Sequence, residues 1–209
     1  NSYVPGDCSI YKGVNKVAPG TLLRFTINGQ SRSIRYWSLS EVVQKGIAEP
    51  FSTPEEAQGR LAGLLRDAVK RQMVSDVPLG GLLSGGIDSS LVVSMMQQAS
   101  SRPVETFTIG FTEREFNESV YAAAVARHLG TQHHEVRVSA EDAMAIIPDL
   151  TGIYDEPFSD SSQIPTSLLA RIVRQDVTVA LSGDGGDELF AGYQRYSQMR
   201  KVAQILDTL

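Results

Sequence analysis

The second half of the chain alternates between short apolar segments and helix-like segments, and this order restricts the fold more than any other feature. The apolar segments predict strands over 77–83, 104–111, 133–138 and 177–181. The intervening segments predict helices over 89–98, 117–129, 140–154 and 164–175, with a last helix from about Gly186. Strands separated by helices pair in parallel through right-handed crossovers. We therefore expect an α/β fold with a twisted parallel sheet and helices on both faces.

A different pattern precedes this alternation. Two β-rich runs, 21–27 and 33–37, flank Asn28-Gly29, which predicts a β-hairpin. A single hairpin does not stabilise itself, so it either packs on the main body or ends a domain that is mostly absent from the chain. Residues 39–52 show no clear periodicity and are interpreted as a linker. A helix is expected to follow, because Thr53 is a good N-cap, Pro54 suits the first position and Glu56 completes a capping box.

Composition narrows the class of partner. The 209 residues carry a formal net charge of -5 without any basic cluster, so we expect no nucleic-acid partner. No segment resembles a membrane span, and we expect no membrane partner. The single cysteine, Cys8, fits a reducing compartment, and the predicted location is cytoplasmic.

Ser84-Gly85-Gly86-Ile87-Asp88-Ser89-Ser90, the first loop, lies between a predicted strand and a predicted helix. Glycines permit a sharp turn, and the helix start adds N–H groups and positive potential, so the order favours an anion site. A carboxylate at Asp88 would repel phosphate unless a cation such as Mg²⁺ lies between them. The simpler alternative is a tight turn with an N-cap. The first loop lacks the lysine of a Walker sequence.

Ser182-Gly183-Asp184-Gly185-Gly186-Asp187-Glu188, the second loop, repeats this construction after another apolar strand. If both strands lie near the centre of one parallel sheet, the two loops face each other across a single crevice. Asp88 and Asp187 would then hold one hard cation through their oxygens. The alternative is a polar turn in which Asp187 and Glu188 only favour a helix N-terminus.

These loops resemble known ones. The first loop resembles the pyrophosphate loop of N-type ATP pyrophosphatases, whose fold is Rossmann-like and called adenine-nucleotide alpha-hydrolase-like. Together with the second loop and with residues 154–160, it is similar to glutamine-hydrolysing asparagine synthetases. The resemblance extends to 105–111, 128–135 and the segment 3–37, so it covers almost the whole chain.

The resemblance implies a reaction and a set of roles. The family activates the side-chain carboxylate of aspartate with Mg-ATP and releases pyrophosphate, after which ammonia from glutamine displaces AMP. Asp88 and Asp187 match the Mg²⁺ carboxylates, and Asp184 matches an acidic catalytic position for forming the adenylate, where many members have Glu. The remaining matches bind ATP: Ser84, Gly85, Gly86, Ser89 and Ser90 at the pyrophosphate, and Leu83, Ile109, Ser182 and Gly183 at the adenosine. Gly110 is a further candidate for binding ATP or its pyrophosphate.

Other acidic and histidine residues receive weaker interpretations. Four polar residues, Glu156, Asp160, Ser161 and Ser162, are candidates for lining the crevice near the amino-acid substrate. An acidic loop that caps the helix near Ile164 explains them nearly as well. His133 and His134 are adjacent on a predicted strand and point to opposite faces, so a structural role is favoured over a metal site.

The resemblance also implies a domain plan. Residues 1–38 match the end of an N-terminal glutaminase domain, 39–52 the linker, and 53–209 an ATP-binding synthetase domain that stops before its closing helices and their lysine. A homodimer of the full-length protein is a further possibility. Two alternatives stay open: a relative that amidates another carboxylate, including β-lactam-synthetase-like enzymes, and an adenine-nucleotide-binding module without catalysis.

This plan predicts that the 209-residue chain binds Mg-ATP or AMP weakly and makes no asparagine, because the glutaminase and the closing lysine are expected to lie outside it. Nucleotide titration and amino-acid analysis of the reaction mixture measure the two halves. Aspartate-dependent pyrophosphate release by this chain alone would contradict the second half.

Overall fold

The computed structural model describes residues 3–111, 118–196 and 198–199. The chain divides into two compact units. The first comprises Asn1–Gly63 with Ile146–Ile164, and the second comprises Leu64–Ala145 with Pro165–Leu209. The predicted domain plan, with boundaries at residues 38 and 53, stays a prediction.

The first unit contains the predicted hairpin. Strands β1 (Thr21–Phe25) and β2 (Ser31–Arg35) pair antiparallel, with Thr21 opposite Arg35 and Phe25 opposite Ser31. Gly29 takes a φ of 79° at the turn, a value that glycine adopts without steric cost. The hairpin prediction is confirmed.

The interpretation of residues 39–52 as lacking helical periodicity is wrong for most of the segment, whereas their role as a linker stays a prediction. Helix α1 runs over Leu39–Ala48, with Glu41 in its first turn and Lys45 in its last. Two β-branched residues, Val42 and Val43, and the nearby Gly46 have poor helix propensity, which conceals the apolar spacing.

Helix α2 (Pro54–Gln72) begins as predicted. The N–H of Glu56 donates to Thr53 Oγ1 at 3.2 Å, and the Glu56 carboxylate accepts from the N–H of Ser52 at 3.0 Å. These two bonds satisfy donors that the start of a helix otherwise leaves unpaired. The division between the two units falls within this helix.

The single helix predicted over 140–154 is also wrong. Helix α5 ends at Ile146 (Ala140–Ile146), a 3₁₀ turn covers Ile147–Asp149, and helix α6 covers Leu150–Ile153. Pro148 lies in the 3₁₀ turn. Proline lacks an N–H and its ring crowds the preceding turn, which accounts for the interruption.

The second unit is built on a four-stranded parallel sheet, as predicted. Its strands are β3 (Leu79–Leu82), β4 (Glu105–Phe111), β5 (Gln132–Val138) and β6 (Val179–Leu181). Their spatial order is β5-β4-β3-β6, and all three pairings are parallel. From β3 the chain proceeds outward through β4 and β5, and β6 then returns to the other side of β3. Between β3 and β6 lies the switch in strand order, where open α/β sheets bind their ligands.

Helices cover both faces of this sheet. They are α3 (Ile87–Ala99), α4 (Ser119–Leu129), α7 (Gln163–Val173) and the short α8 (Gly186–Phe190). Gly81 of β3 faces Val93 and Met96 of α3, whereas Phe107 of β4 packs with Val173 of α7. No helix within the described residues is long and apolar enough to cross a membrane.

Among the described residues of the second unit, Phe107 is the largest side chain that is fully buried, with 1% of its surface exposed. It contacts Val173 and Val177 and stacks on His134 with 5.0 Å between ring centroids. We predict that Phe107→Ala lowers the free energy of unfolding by about 3–5 kcal/mol, because it removes this contact area and leaves a cavity.

Urea denaturation measures this loss. Val120→Ala is the matched control, since Val120 is 68% exposed on α4 and its truncation should change stability by less than about 0.5 kcal/mol. Equal effects of the two substitutions would contradict the placement of Phe107 in the core.

Candidate active site

A cleft of about 700 Å³ opens at the carboxyl ends of β3, β4 and β6, entirely within the second unit. Both loops line it, as expected for strands that are neighbours in a parallel sheet. Ten of the predicted site residues contribute to its wall: Leu83, Ser84, Gly86, Asp88, Ser89, Ile109, Ser182, Gly183, Asp184 and Asp187.

Internal hydrogen bonds fix the first loop. Ser84 Oγ lies 2.9 Å from Ser89 Oγ, and it accepts the N–H of Gly86 at 3.2 Å. Ser89 Oγ also accepts the N–H of Ser84 at 3.2 Å. These bonds join the end of β3 to the first turn of α3, so the loop is organised before any ligand arrives.

Gly85 allows the first loop to pack against α4. Its φ is 82°, and a Cβ there would lie 2.6 Å from the backbone nitrogen of Ala122. Both the backbone conformation and the lack of space require glycine at this position.

The start of α3 provides a place for an anion. Gly86 is the N-cap residue, and its backbone is extended, with no side-chain cap. The N–H groups of a first helical turn have no partner within their own helix, and the helix dipole adds positive potential. A phosphate at this end of α3 is therefore favoured.

The second loop has the same construction. The N–H of Asp184 donates to Ser182 Oγ at 3.4 Å, and the N–H of Gly186 donates to the carbonyl of Gly183 at 3.2 Å. Gly185 has a φ of 89° and precedes the first residue of α8. The turn thus places Asp184 and Asp187 on the cleft wall from a stretch of four residues.

Glycines of the second loop bring it against the first. A Cβ at Gly183 would lie 2.6 Å from the backbone nitrogen of Ser89, and a Cβ at Gly186 would overlap the Asp88 carboxylate. The Asp88 carboxylate therefore lies against the residue that precedes Asp187.

The charge of the cleft has one sign. Four carboxylates line it, from Asp88, Glu118, Asp184 and Asp187, and its described lining includes no Lys, Arg or His. A polyphosphate would be repelled unless it carried cations with it. Within the described residues no group of three or more His, Cys, Asp or Glu side chains is placed to hold a metal ion. Mg²⁺ differs from other metal ions in that it binds through one or two carboxylates and takes other oxygens from substrate phosphates and water.

Three predicted ligands do not line the cleft. Ser90 follows Ser89 on α3, and successive helical residues point about 100° apart. Its hydroxyl is buried without a hydrogen-bond partner in the described part of the chain. Gly110 instead faces Ser119 and Glu135, with a hypothetical Cβ 3.1 Å from Ser119 Oγ. The third, Gly85, packs behind the loop.

The residues predicted to line the amino-acid site belong to the first unit, and the contacts that they make lie within that unit. The Glu156 carboxylate forms an ion pair with Lys16 at 2.6 Å and accepts the N–H of Ile10 at 3.3 Å. Asp160 Oδ1 accepts the N–H of Ser162 at 2.8 Å, which lowers the pKa of the Asp160 carboxyl. Ser161 is exposed. The turn before α7 therefore accounts for Asp160, and the substrate role of these residues stays a prediction.

The two histidines have separate partners. His133 Nδ1 lies 3.0 Å from Thr106 Oγ1, and burial lowers the pKa of His133. His134 Nε2 lies 2.6 Å from Glu105 Oε2. These contacts tie β5 to β4 and agree with the predicted structural role.

Sequence reasoning missed several wall residues, of which Glu118 carries chemistry. Others are apolar or small, namely Leu82, Ile87, Phe107, Thr108, Phe111, Thr166, Leu169, Phe190 and Gly192. Glu118 could have been predicted from its position between a strand of the sheet and the next helix, because ligands bind beyond the carboxyl ends of such strands.

The sequence matches the family described as "Asparagine synthase" over residues 60–208. It is 40% identical over 196 residues to the "Putative asparagine synthetase [glutamine-hydrolyzing] 2" of Methanocaldococcus jannaschii, covering 93% of this chain and 37% of the relative. It is 34% identical over 197 residues to "Asparagine synthetase [glutamine-hydrolyzing] 1" of Bacillus subtilis, covering 94% of this chain and 30% of the relative. It is also 32% identical to "Amidase chyE" of Penicillium rubens, covering 90% of this chain and 30% of that protein.

The chain thus spans about a third of the length of these relatives. Among solved structures, the NH3-dependent NAD synthetase of Campylobacter jejuni has a TM-score of 0.45 at 17% identity, covering 65% of this chain and 60% of that one. A likeness of that size supports no functional argument. The family match covers most of the chain, including both loops, and the chain belongs to the asparagine synthase family.

Proposed function

We propose that the protein carrying this chain is an ATP-dependent amide-forming ligase that activates the side-chain carboxylate of aspartate for amidation to asparagine. One observation carries the proposal. Asp88 and Asp187, from two loops in contact, line one cleft that has no cationic side chain among its described lining residues. Such a cleft suits a cation-bound polyphosphate. Membership of the asparagine synthase family supports the choice of reaction.

Each part of Mg-ATP has a suitable surface. The pyrophosphate end is assigned to the first loop, where the start of α3 attracts anions and the hydroxyls of Ser84 and Ser89 are already positioned. The base is assigned to the apolar wall at the ends of β3 and β4, which includes Leu83 and Ile109. Asp88 and Asp187 would hold Mg²⁺, which when bound offsets the negative charge of the phosphates.

The reaction requires two displacements. A carboxylate oxygen of aspartate attacks the α-phosphorus, the bond to the bridging oxygen breaks, and pyrophosphate leaves. Ammonia then attacks the acyl carbon, AMP leaves, and the nitrogen loses a proton. Asp184, an exposed carboxylate on the cleft wall, is assigned to the first displacement, where its charge helps to orient cationic groups of the substrate complex.

A second candidate has a specific observation behind it. The relative called an amidase, at 32% identity, shows that similar sequences carry other names. A related ligase that amidates a different carboxylate would use the same cleft and the same nucleotide. A nucleotide-binding module without catalysis is less favoured, because binding alone does not require a carboxylate at Asp184.

Pyrophosphate release tests the reaction. In the natural polypeptide that carries these residues, we expect Mg-ATP to release pyrophosphate when aspartate is added, and not with glutamate or other amino acids. Asp184→Asn should lower that rate by about 10²-fold or more, the size typical of a positioned charged group. Glu141→Gln, an exposed glutamate in the first turn of α5, should leave it unchanged.

Release with another carboxylate in place of aspartate would move the assignment to the second candidate. Binding of ATP without pyrophosphate release on any amino acid would favour the non-catalytic module.

The metal requirement tests the shared cation. Asp187→Asn should raise the Mg²⁺ concentration needed for half-maximal ATP binding by at least about tenfold, because the site loses one of its two carboxylates. Magnesium titrations at fixed ATP, monitored by calorimetry, measure this shift, with Glu141→Gln again as the control. An unchanged requirement would remove Asp187 from the cation site.

A further inference from the structure

Glu118 is the one carboxylate of the described cleft wall that neither loop contributes. It precedes α4, which follows β4, and its side chain caps no N–H of that helix. Within the described residues its carboxylate has no hydrogen bond or ion pair. It is therefore free to meet a ligand in the cleft.

A single backbone nitrogen links Glu118 to the first loop. The N–H of Ala122 donates to the carbonyl of Glu118 at 3.3 Å, and the position of a Cβ on Gly85 lies 2.6 Å from that same nitrogen. Glu118 consequently lies about one helical turn from the first loop. Across β3, on the other side, stand Asp184 and Asp187 of the second loop.

The apolar wall adjoins Glu118 on its other side. Ile109 and Phe111 belong to the end of β4, the strand that α4 follows, and both line the cleft. A nucleotide with its phosphates on the first loop and its base on this wall has its sugar between the two surfaces. Glu118 lies beside the part of the cleft where this sugar would be placed.

An ionised carboxylate only accepts hydrogen bonds. It repels phosphate, so it faces either a cation or a hydrogen-bond donor. The cation is assigned to Asp88 and to Asp187 of the second loop, on the other side of β3, which leaves a donor as the partner of Glu118. A ribose offers two adjacent hydroxyl donors, and a carboxylate has two oxygens that accept them. We propose that Glu118 binds the 2′- and 3′-hydroxyls of the nucleotide and thereby selects ribonucleotides. This inference rests on the proposed binding of ATP in the cleft.

The test measures the ratio of the affinities for two nucleotides, because a single affinity would be ambiguous. Removing Glu118 also removes repulsion of the phosphates, which strengthens binding of any nucleotide. The ratio of the affinities for Mg-ATP and Mg-2′,3′-dideoxy-ATP cancels that effect. We expect the wild-type chain to prefer ATP by at least about tenfold, since a hydrogen bond to a charged group is worth at least that much. The ratio should fall to about one in Glu118→Ala and to an intermediate value in Glu118→Gln.

Isothermal titration calorimetry gives both affinities, and thermal unfolding checks that each variant is folded. If Glu118→Ala does not fold, Glu118→Gln carries the test. Glu141→Ala, which removes an equivalent exposed glutamate from another helix start, should retain the wild-type ratio.

The outcomes separate the two proposals. ATP and dideoxy-ATP bound equally well by the wild type, or a ratio that Glu118→Ala leaves unchanged, would overturn the ribose inference and leave nucleotide binding standing. A substitution that weakened only the binding of the amino acid would assign Glu118 to an ammonium group instead and would also overturn it. Absence of binding by either nucleotide would overturn both proposals.

Discussion

The close contact between the two glycine loops is the constraint on which the site depends. Gly183 has no space for a side chain because the backbone of Asp88 and Ser89 occupies it, and Gly186 has none because the Asp88 carboxylate does. The neighbouring positions of β3 and β6 bring the loops to the same edge of the sheet, but only residues without Cβ let them touch. Backbone geometry therefore sets how closely the two loops approach each other.

That geometry has an electrostatic consequence. The described lining of the cleft contains four carboxylates and no lysine or arginine, so no basic side chain of the wall neutralises their charge. The cleft is thus selective for ligands that bring positive charge or hydrogen-bond donors. The proposed cation, shared with a polyphosphate, would meet this condition near Asp88, and the proposed ribose hydroxyls would meet it near Glu118. On these proposals the acidic wall would bind a cation beside the N–H groups at the start of α3 and a sugar beside the apolar ends of the strands.

Much of the fold could be predicted because strand, glycine turn and helix follow each other locally in the sequence. The same local rules explain the errors. Val42, Val43 and Gly46 weaken the helical signal of α1, and Pro148 divides a segment whose apolar periodicity continues through it. Sequence patterns identified most of the two-loop residues that line the cleft, although Gly85 of the first loop packs behind it. They failed where the direction of a side chain depends on rotation along α3, as for Ser90, or on which face of β4 meets α4, as for Gly110.

Glu118 shows why sequence alone stops short of a complete site. The sequence around Glu118 does not indicate a binding site, because an acidic residue before a helix normally stabilises that helix through its dipole. The packing of Gly85 on Ala122 in the structure shows that the start of α4 lies beside the first loop. Gly85 thus has a second effect. Because it has no side chain, α4 packs closely against the first loop, and Glu118 at the start of α4 lies at the cleft. The first loop consequently lies between two acidic parts of the cleft wall, Asp184 and Asp187 on the β6 side and Glu118 on the β4 side.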